Sequence, residues 1–76
     1  MIEWTKLDLD PEVEAHEATI GDTRWRAVQH SRGWSLSRRP VDGSARWRVL
    51  RALDREILQW PTLREACAAA ERVSFS

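Results

Sequence analysis

The chain has 76 residues, 42% of them hydrophobic, and its twelve basic and twelve acidic residues cancel to a formal charge of zero. That length suits one domain and buries only about 60% of the surface its unfolded chain exposes, so marginal stability or help from self-association is expected. No apolar run approaches the roughly 18 residues of a membrane span, no basic-then-apolar leader opens the chain, and a lone cysteine excludes an internal disulfide, so a cytoplasmic location is expected.

Residues Ile2 to Leu7 alternate well enough for a short strand, with Ile2, Trp4 and Lys6 on one face and Glu3, Thr5 and Leu7 on the other. Asp8 to Pro11 reads as a turn. Its Asp8-x-Asp10-x-Glu12 spacing is that of calcium-loop ligands, but the glycine such a loop needs for its sharp turn is missing, so a solvated acidic loop is expected instead. Val13 to Ile20 reads as a second strand, polar enough for a sheet edge. Gly21-Asp22 is a two-residue hairpin turn. Thr23 to His30 forms the third strand, with Trp25 and Ala27 facing one side and Arg24, Arg26, Val28 and His30 the other. Ser31-Arg32-Gly33 is the next turn. Trp34 to Arg38 is the fourth strand, with Trp34 and Leu36 opposite Ser35 and Ser37. Pro40 to Ala45 is a loop.

Residues Arg46 to Trp60 fit two patterns. As a hairpin, Arg46 to Arg51 and Glu56 to Trp60 flank Leu53-Asp54-Arg55, with Trp47 and Val49 toward the core and Arg46 and Arg48 outward. As a helix, Leu50, Leu53, Ile57 and Trp60 form a stripe. The hairpin is the preferred reading. Beyond it, Pro61 removes a backbone donor and biases Trp60 toward extended structure. Thr62 and Glu65 have capping-box spacing, each side chain serving the other's free N–H. Leu63, Ala66, Cys67 and Ala70 then make one narrow apolar stripe. Small residues there let the helix approach a sheet, and Trp25, Trp34, Trp47 and Trp60 supply the bulk to fill the gap. The expected class is α+β: an antiparallel sheet of about four to six short strands covered by one C-terminal helix over roughly residues 62–73, all in a single domain over residues 1–76.

The pairing of Gly33-Trp34-Ser35-Leu36 with the ending Trp60-Pro61-Thr62-Leu63-Arg64-Glu65-Ala66-Cys67-Ala68-Ala69-Ala70-Glu71 resembles a pattern of small phage and prophage proteins from actinobacterial and other GC-rich hosts. More distantly, residues 23–72 resemble the sheet-plus-helix of AP2 domains and of the arm-DNA-binding domain of tyrosine integrases. The first resemblance implies an accessory protein of the host cytoplasm. The second implies a sheet that enters a DNA groove, braced by its helix.

Chemistry-bearing residues are sparse. Cys67 sits on the apolar stripe, where a thiol is packing rather than nucleophile. His16, His30 and Cys67 are too scattered for a zinc site. Gly21, Gly33 and Gly43 are isolated turn residues, not a phosphate loop. No catalytic residue, metal or cofactor is therefore expected, and the protein reads as non-enzymatic. The charge layout is more informative than its sum. Residues 1–23 carry seven acids against Lys6, whereas residues 24–52 carry eight arginines against Asp42. If both segments are strands, Arg24, Arg26, Arg46 and Arg48 share the face opposite the tryptophans, with Arg32, Arg38 and Arg39 in or near adjoining turns. Protein–protein interaction is the leading expectation, with a host protein or with a second copy through the N-terminal strands. A nucleic-acid module using the arginine face is the alternative.

Overall fold

The computed structural model describes residues 2–10 and 12–74, and for Leu9 and Asp10 the backbone alone. Five antiparallel strands lie in sequence order, β1 (Thr5–Asp10), β2 (Val13–Ile20), β3 (Thr23–His30), β4 (Gly33–Pro40) and β5 (Arg48–Val49), followed by one helix, α1 (Leu63–Ser74). This is the expected α+β class. The β2 and β3 ranges match the sequence reading residue for residue. The Gly21-Asp22 turn, with Gly21 at φ 62°, sets the pairs Ala18–Trp25 and Glu17–Arg26.

Three local expectations are corrected and a fourth is shortened. The first strand begins at Thr5 and runs through Asp8 to Asp10, so that segment is not a turn; its pairing with β2 slips between Leu7 and Asp10, and this break accommodates the acidic run. Because β1 covers one side of β2, β2 is interior and β1 is the edge. The β3–β4 turn is Ser31-Arg32, and Gly33 already belongs to β4, which continues to Pro40. The Arg46–Trp60 segment forms the expected hairpin over a shorter span, with residues 50–52 pairing with 56–58 around 53–55 through the Ala52 N–H donating to the Glu56 carbonyl at 2.8 Å and the Leu58 N–H to the Leu50 carbonyl at 3.1 Å. Its ladder with β4 shrinks to β5, extended by the Leu50 N–H donating to the Leu36 carbonyl at 2.8 Å. The chain then leaves the sheet, makes a small loop closed by the Arg51–Ile57 bridge, and returns at Trp60, which exchanges both backbone hydrogen bonds with Trp34. The free side of β4 is thus covered twice, by residues 48–50 along one half and by Trp60 on the other.

The core lies between the sheet and α1. Ile20, Trp25, Ala27, Trp34 and Leu36 meet Ala66, Ala69 and Ala70, and Ile2, Trp4, Leu50, Trp60 and Leu63 pack around them. The alanine face lets the helix sit close enough that the indoles of Trp25 and Trp34 fill the space, as the composition of the stripe requires. Two residues expected in this core are not. Cys67 is only half-buried and its place is taken by Ala69, because the face turned to the sheet is centred between positions 66 and 70 on the 69 side. Trp47 stands on the other side of the sheet altogether. The helix start follows its capping signal in part. The Glu65 N–H donates to Thr62 Oγ1 at 3.2 Å, but the Glu65 carboxylate takes the Thr62 hydroxyl proton rather than a backbone N–H.

Candidate interaction surface

Strand pairing decides which arginines share a face, because residues opposite one another in an antiparallel ladder project the same way. Trp25 is opposite Arg38, and Arg38 is opposite Arg48. Arg48 therefore lies on the helix side with Trp25, not with Arg24 and Arg26. Arg26 is opposite Ser37, and Ser37 opposite Val49, so this second face carries Val49 and, by alternation, Trp47. The expected common face of Arg24, Arg26, Arg46 and Arg48 is thus divided. Arg24, Arg26 and Arg39 stand on the outer face. Arg38 and Arg48 stand on the helix side, at its rim. Arg46 joins them around a shared groove, and Arg32 is exposed in the β3–β4 turn at the opposite end of the ladder.

On the outer face the charges are tied. Glu17, directly across from Arg26, accepts from Arg26 Nη2 at 3.0 Å through Oε2 and faces Arg24 Nε at 3.5 Å through Oε1. Trp47 lies beneath two guanidinium groups, Arg26 at 4.3 Å and Arg39 at 5.0 Å from its ring centroid. Each such contact is worth about 0.5–1 kcal/mol at an exposed site. Trp47 is thus a platform that fixes arginines instead of a core residue. Nearby, His30 Nε2 and Ser35 Oγ are 2.8 Å apart, which satisfies the buried Ser35 hydroxyl.

At the rim the charges are loose. Arg38 lies against the Trp25 ring at 5.6 Å, while Arg38, Arg39, Arg46 and Arg48 have no ion pair among the described residues. These four, with Thr23, Pro40 and Ala45, line an open groove of about 280 Å³ that contains no acidic side chain. The nearest acids in sequence are engaged elsewhere: Asp22 accepts from the Thr23 hydroxyl at 3.4 Å, and Asp42 accepts the Ser44 N–H at 2.8 Å, a bond that lowers its pKa. Arg39 Nε is buried without an acceptor among the described residues.

The acidic residues lie across the sheet. Asp8 is on β1 and Glu14 on β2, where Glu14 contacts His16 Nε2 at 3.0 Å and Lys6 Nζ at 3.7 Å. The hydrogen bond with His16, more than any other cause, lowers the Glu14 pKa. Because the strands lie in sequence order, the charge gradient along the chain becomes a gradient across the sheet, acidic at the β1 edge and basic at the β4–β5 edge. Of the N-terminal acids, Glu17 reaches the arginines, pairing with both Arg24 and Arg26. Cys67 has its pKa pushed up from 9.0 to about 11 by burial and by Glu71, which suits packing and not nucleophilic chemistry. Among the described residues no three His, Cys, Asp or Glu side chains stand together as metal ligands, and no helix is long and apolar enough to cross a membrane.

Sequence reasoning missed Trp47 and Glu17 as members of this surface. The signal for Glu17 was present, since a two-residue turn at 21–22 places it opposite Arg26. None existed for Trp47, whose side depends on the non-local pairing of β5. No family model matches this chain, and comparison with curated proteins and with solved structures likewise gave no match.

Proposed function

We propose that this protein is a small non-enzymatic binding module that acts by protein–protein interaction, presenting its β4–β5 arginine corner to an acidic surface of a partner. The observation that supports this reading most is the groove of Arg38, Arg39, Arg46 and Arg48, where no arginine has an ion pair among the described residues although the whole molecule is neutral. Complementary patches steer association, and arginine beside tryptophan is a frequent interface anchor. A second copy of the chain offers such an acidic surface at its β1 edge, so self-association belongs to the same reading. The test is affinity capture from a host-type lysate at low salt, with mass determination in solution, for the wild type and the Arg46→Glu/Arg48→Glu variant. A partner or a dimer held by the wild type and lost in the variant supports the proposal. A monomer that captures nothing, or captures equally in both forms, overturns it.

The alternative reading, nucleic-acid binding, draws on the same unpaired arginines. It predicts that duplex DNA affinity falls with salt with a log–log slope of about −0.9 per phosphate contacted. Absence of binding at low salt removes it.

A further inference from the structure

The rim arginines are arranged at a cost that no ion pair among the described residues offsets. In adjacent rows of the sheet, Arg24 faces Arg39 and Arg38 faces Arg48. Like charges directly opposite in an antiparallel pair are destabilising. The first row is compensated, Arg24 by Glu17 and Arg39 by the Trp47 ring. The second has no ion pair among the described residues, and Arg46 adds a further cation to the same groove. Arg39, whose guanidinium group lies over the Trp47 ring on the outer face, has a buried Nε–H with no acceptor among the described residues. One guanidinium group of the groove is held in place by a ring, Arg38 on Trp25, and the exposed Arg46 and Arg48 line the same groove beside it.

We infer that this groove is a phosphate-binding site, taking one phosphate group either free or carried on a larger molecule. The inference rests on the reading of this corner as the contact surface and names the group it contacts. Charge and oxygen count select phosphate over carboxylate. A phosphate monoester carries about −1.5 to −2 near neutral pH and three acceptor oxygens, against −1 and two for a carboxylate. Arginine donors in planar pairs match such a group well. Pro40 and Ala45 supply an apolar wall that strengthens the attraction.

The test follows the arginine Nε–H resonances of the ¹⁵N-labelled full chain during titration with inorganic phosphate at constant ionic strength, with acetate as the control anion. Saturable shifts of the Arg38 and Arg48 signals with phosphate and none with acetate are expected. A thermal midpoint raised by about 6–11 °C at tenfold excess over Kd should accompany them. Arg48→Gln relieves the like-charge pair, so without phosphate its midpoint should equal or exceed that of the wild type, and the phosphate response should be lost. Arg32→Gln should respond as the wild type does. A phosphoserine peptide and a short DNA duplex, each competed against phosphate, then identify which carrier the site accepts. Shifts that never saturate, or that acetate reproduces, overturn the inference. Displacement of a captured partner by polyglutamate but not by phosphate overturns it too while leaving the interaction reading intact. Saturable phosphate binding with no captured partner keeps the site and removes that reading.

Discussion

Gly33 shows how one residue without a side chain holds two elements together. Its φ is 147°, and a Cβ there would run into the Trp60 carbonyl oxygen, the acceptor of the Trp34 N–H bond. Gly33→Ala therefore strains the backbone and pushes the helix-preceding segment off β4 at once. A loss of about 2–4 kcal/mol is expected, read as a lower denaturation midpoint. Arg55 is the converse case. It adopts φ 70° in the small loop between β5 and Trp60, where its side chain earns no ion pair among the described residues. Arg55→Gly should raise stability by about 0.5–1 kcal/mol in the same measurement, because the left-handed conformation costs a non-glycine residue about 1–2 kcal/mol and glycine's greater freedom in the unfolded chain cancels about half of that. Cys67 gives a pH signature. With its pKa raised from 9.0 to about 11, the folded state keeps a proton that the unfolded chain releases, so stability falls as pH rises through that window and is unaffected by this thiol below it. Alkylation of the native protein should stay slow at pH 8 and accelerate only toward pH 11. A fast reaction at pH 8 would show that the thiol is not held protonated.

At the scale of elements, α1 depends on its first turn and on its small face. Thr62→Ala removes the acceptor of the Glu65 N–H and should cost about 1 kcal/mol, measurable by urea denaturation, with Thr62→Ser close to neutral. Enlarging the face is worse than shortening a cap. Ala66 and Ala70 are fully buried against Trp25, Trp34 and Leu36, so Ala70→Leu overpacks the interface and should cost about 1–3 kcal/mol or more. The loop between Leu50 and Trp60 behaves differently. It is closed by the Ala52 N–H bond to Glu56, the Arg55 N–H bond to Ala52, and the Asp54 carboxylate accepting the Glu56 N–H, and it leaves Leu53 fully exposed. Leu53→Ser should leave the thermal midpoint unchanged within about 0.5 kcal/mol, since nothing is unburied by the change.

Over the whole molecule, the dominant feature is a neutral chain folded into an electrically polar object. A meander of neighbouring strands preserves the order of the sequence in space, so acidic residues gather at the β1 edge and arginines at the other. Molecules of this kind attract one another head to tail, and salt screens the attraction over about 10 Å at 0.1 M. Any self-association through these edges should weaken between 20 mM and 500 mM salt in sedimentation experiments. Association that salt leaves unchanged would point to the exposed apolar residues instead.

Local chemistry alone carried much of this architecture. The turn at 21–22, the presence of a turn after His30, period-two alternation in β2, β3 and β4, and the Pro61-Thr62-x-x-Glu65 start of α1 each act over a few residues, so they could be read directly. A two-residue turn also implies its register, which is why Glu17 opposite Arg26 lay within reach of the sequence, whereas Arg24 opposite Arg39 required Gly33 to belong to β4 and not to the turn. What residues 41–60 do was not so determined. The loop from Val41 to Trp47 is long enough to admit either parity of pairing, and a slip of one residue exchanges Trp47 for Arg48 between the faces. Only the tertiary contacts chose between them: the Arg38–Arg48 and Ser37–Val49 pairs, the rings of Trp47 and Trp25 beneath their arginines, and the closure of Trp60 on Trp34 over Gly33. Those contacts join residues distant in the chain, and no local propensity encodes them.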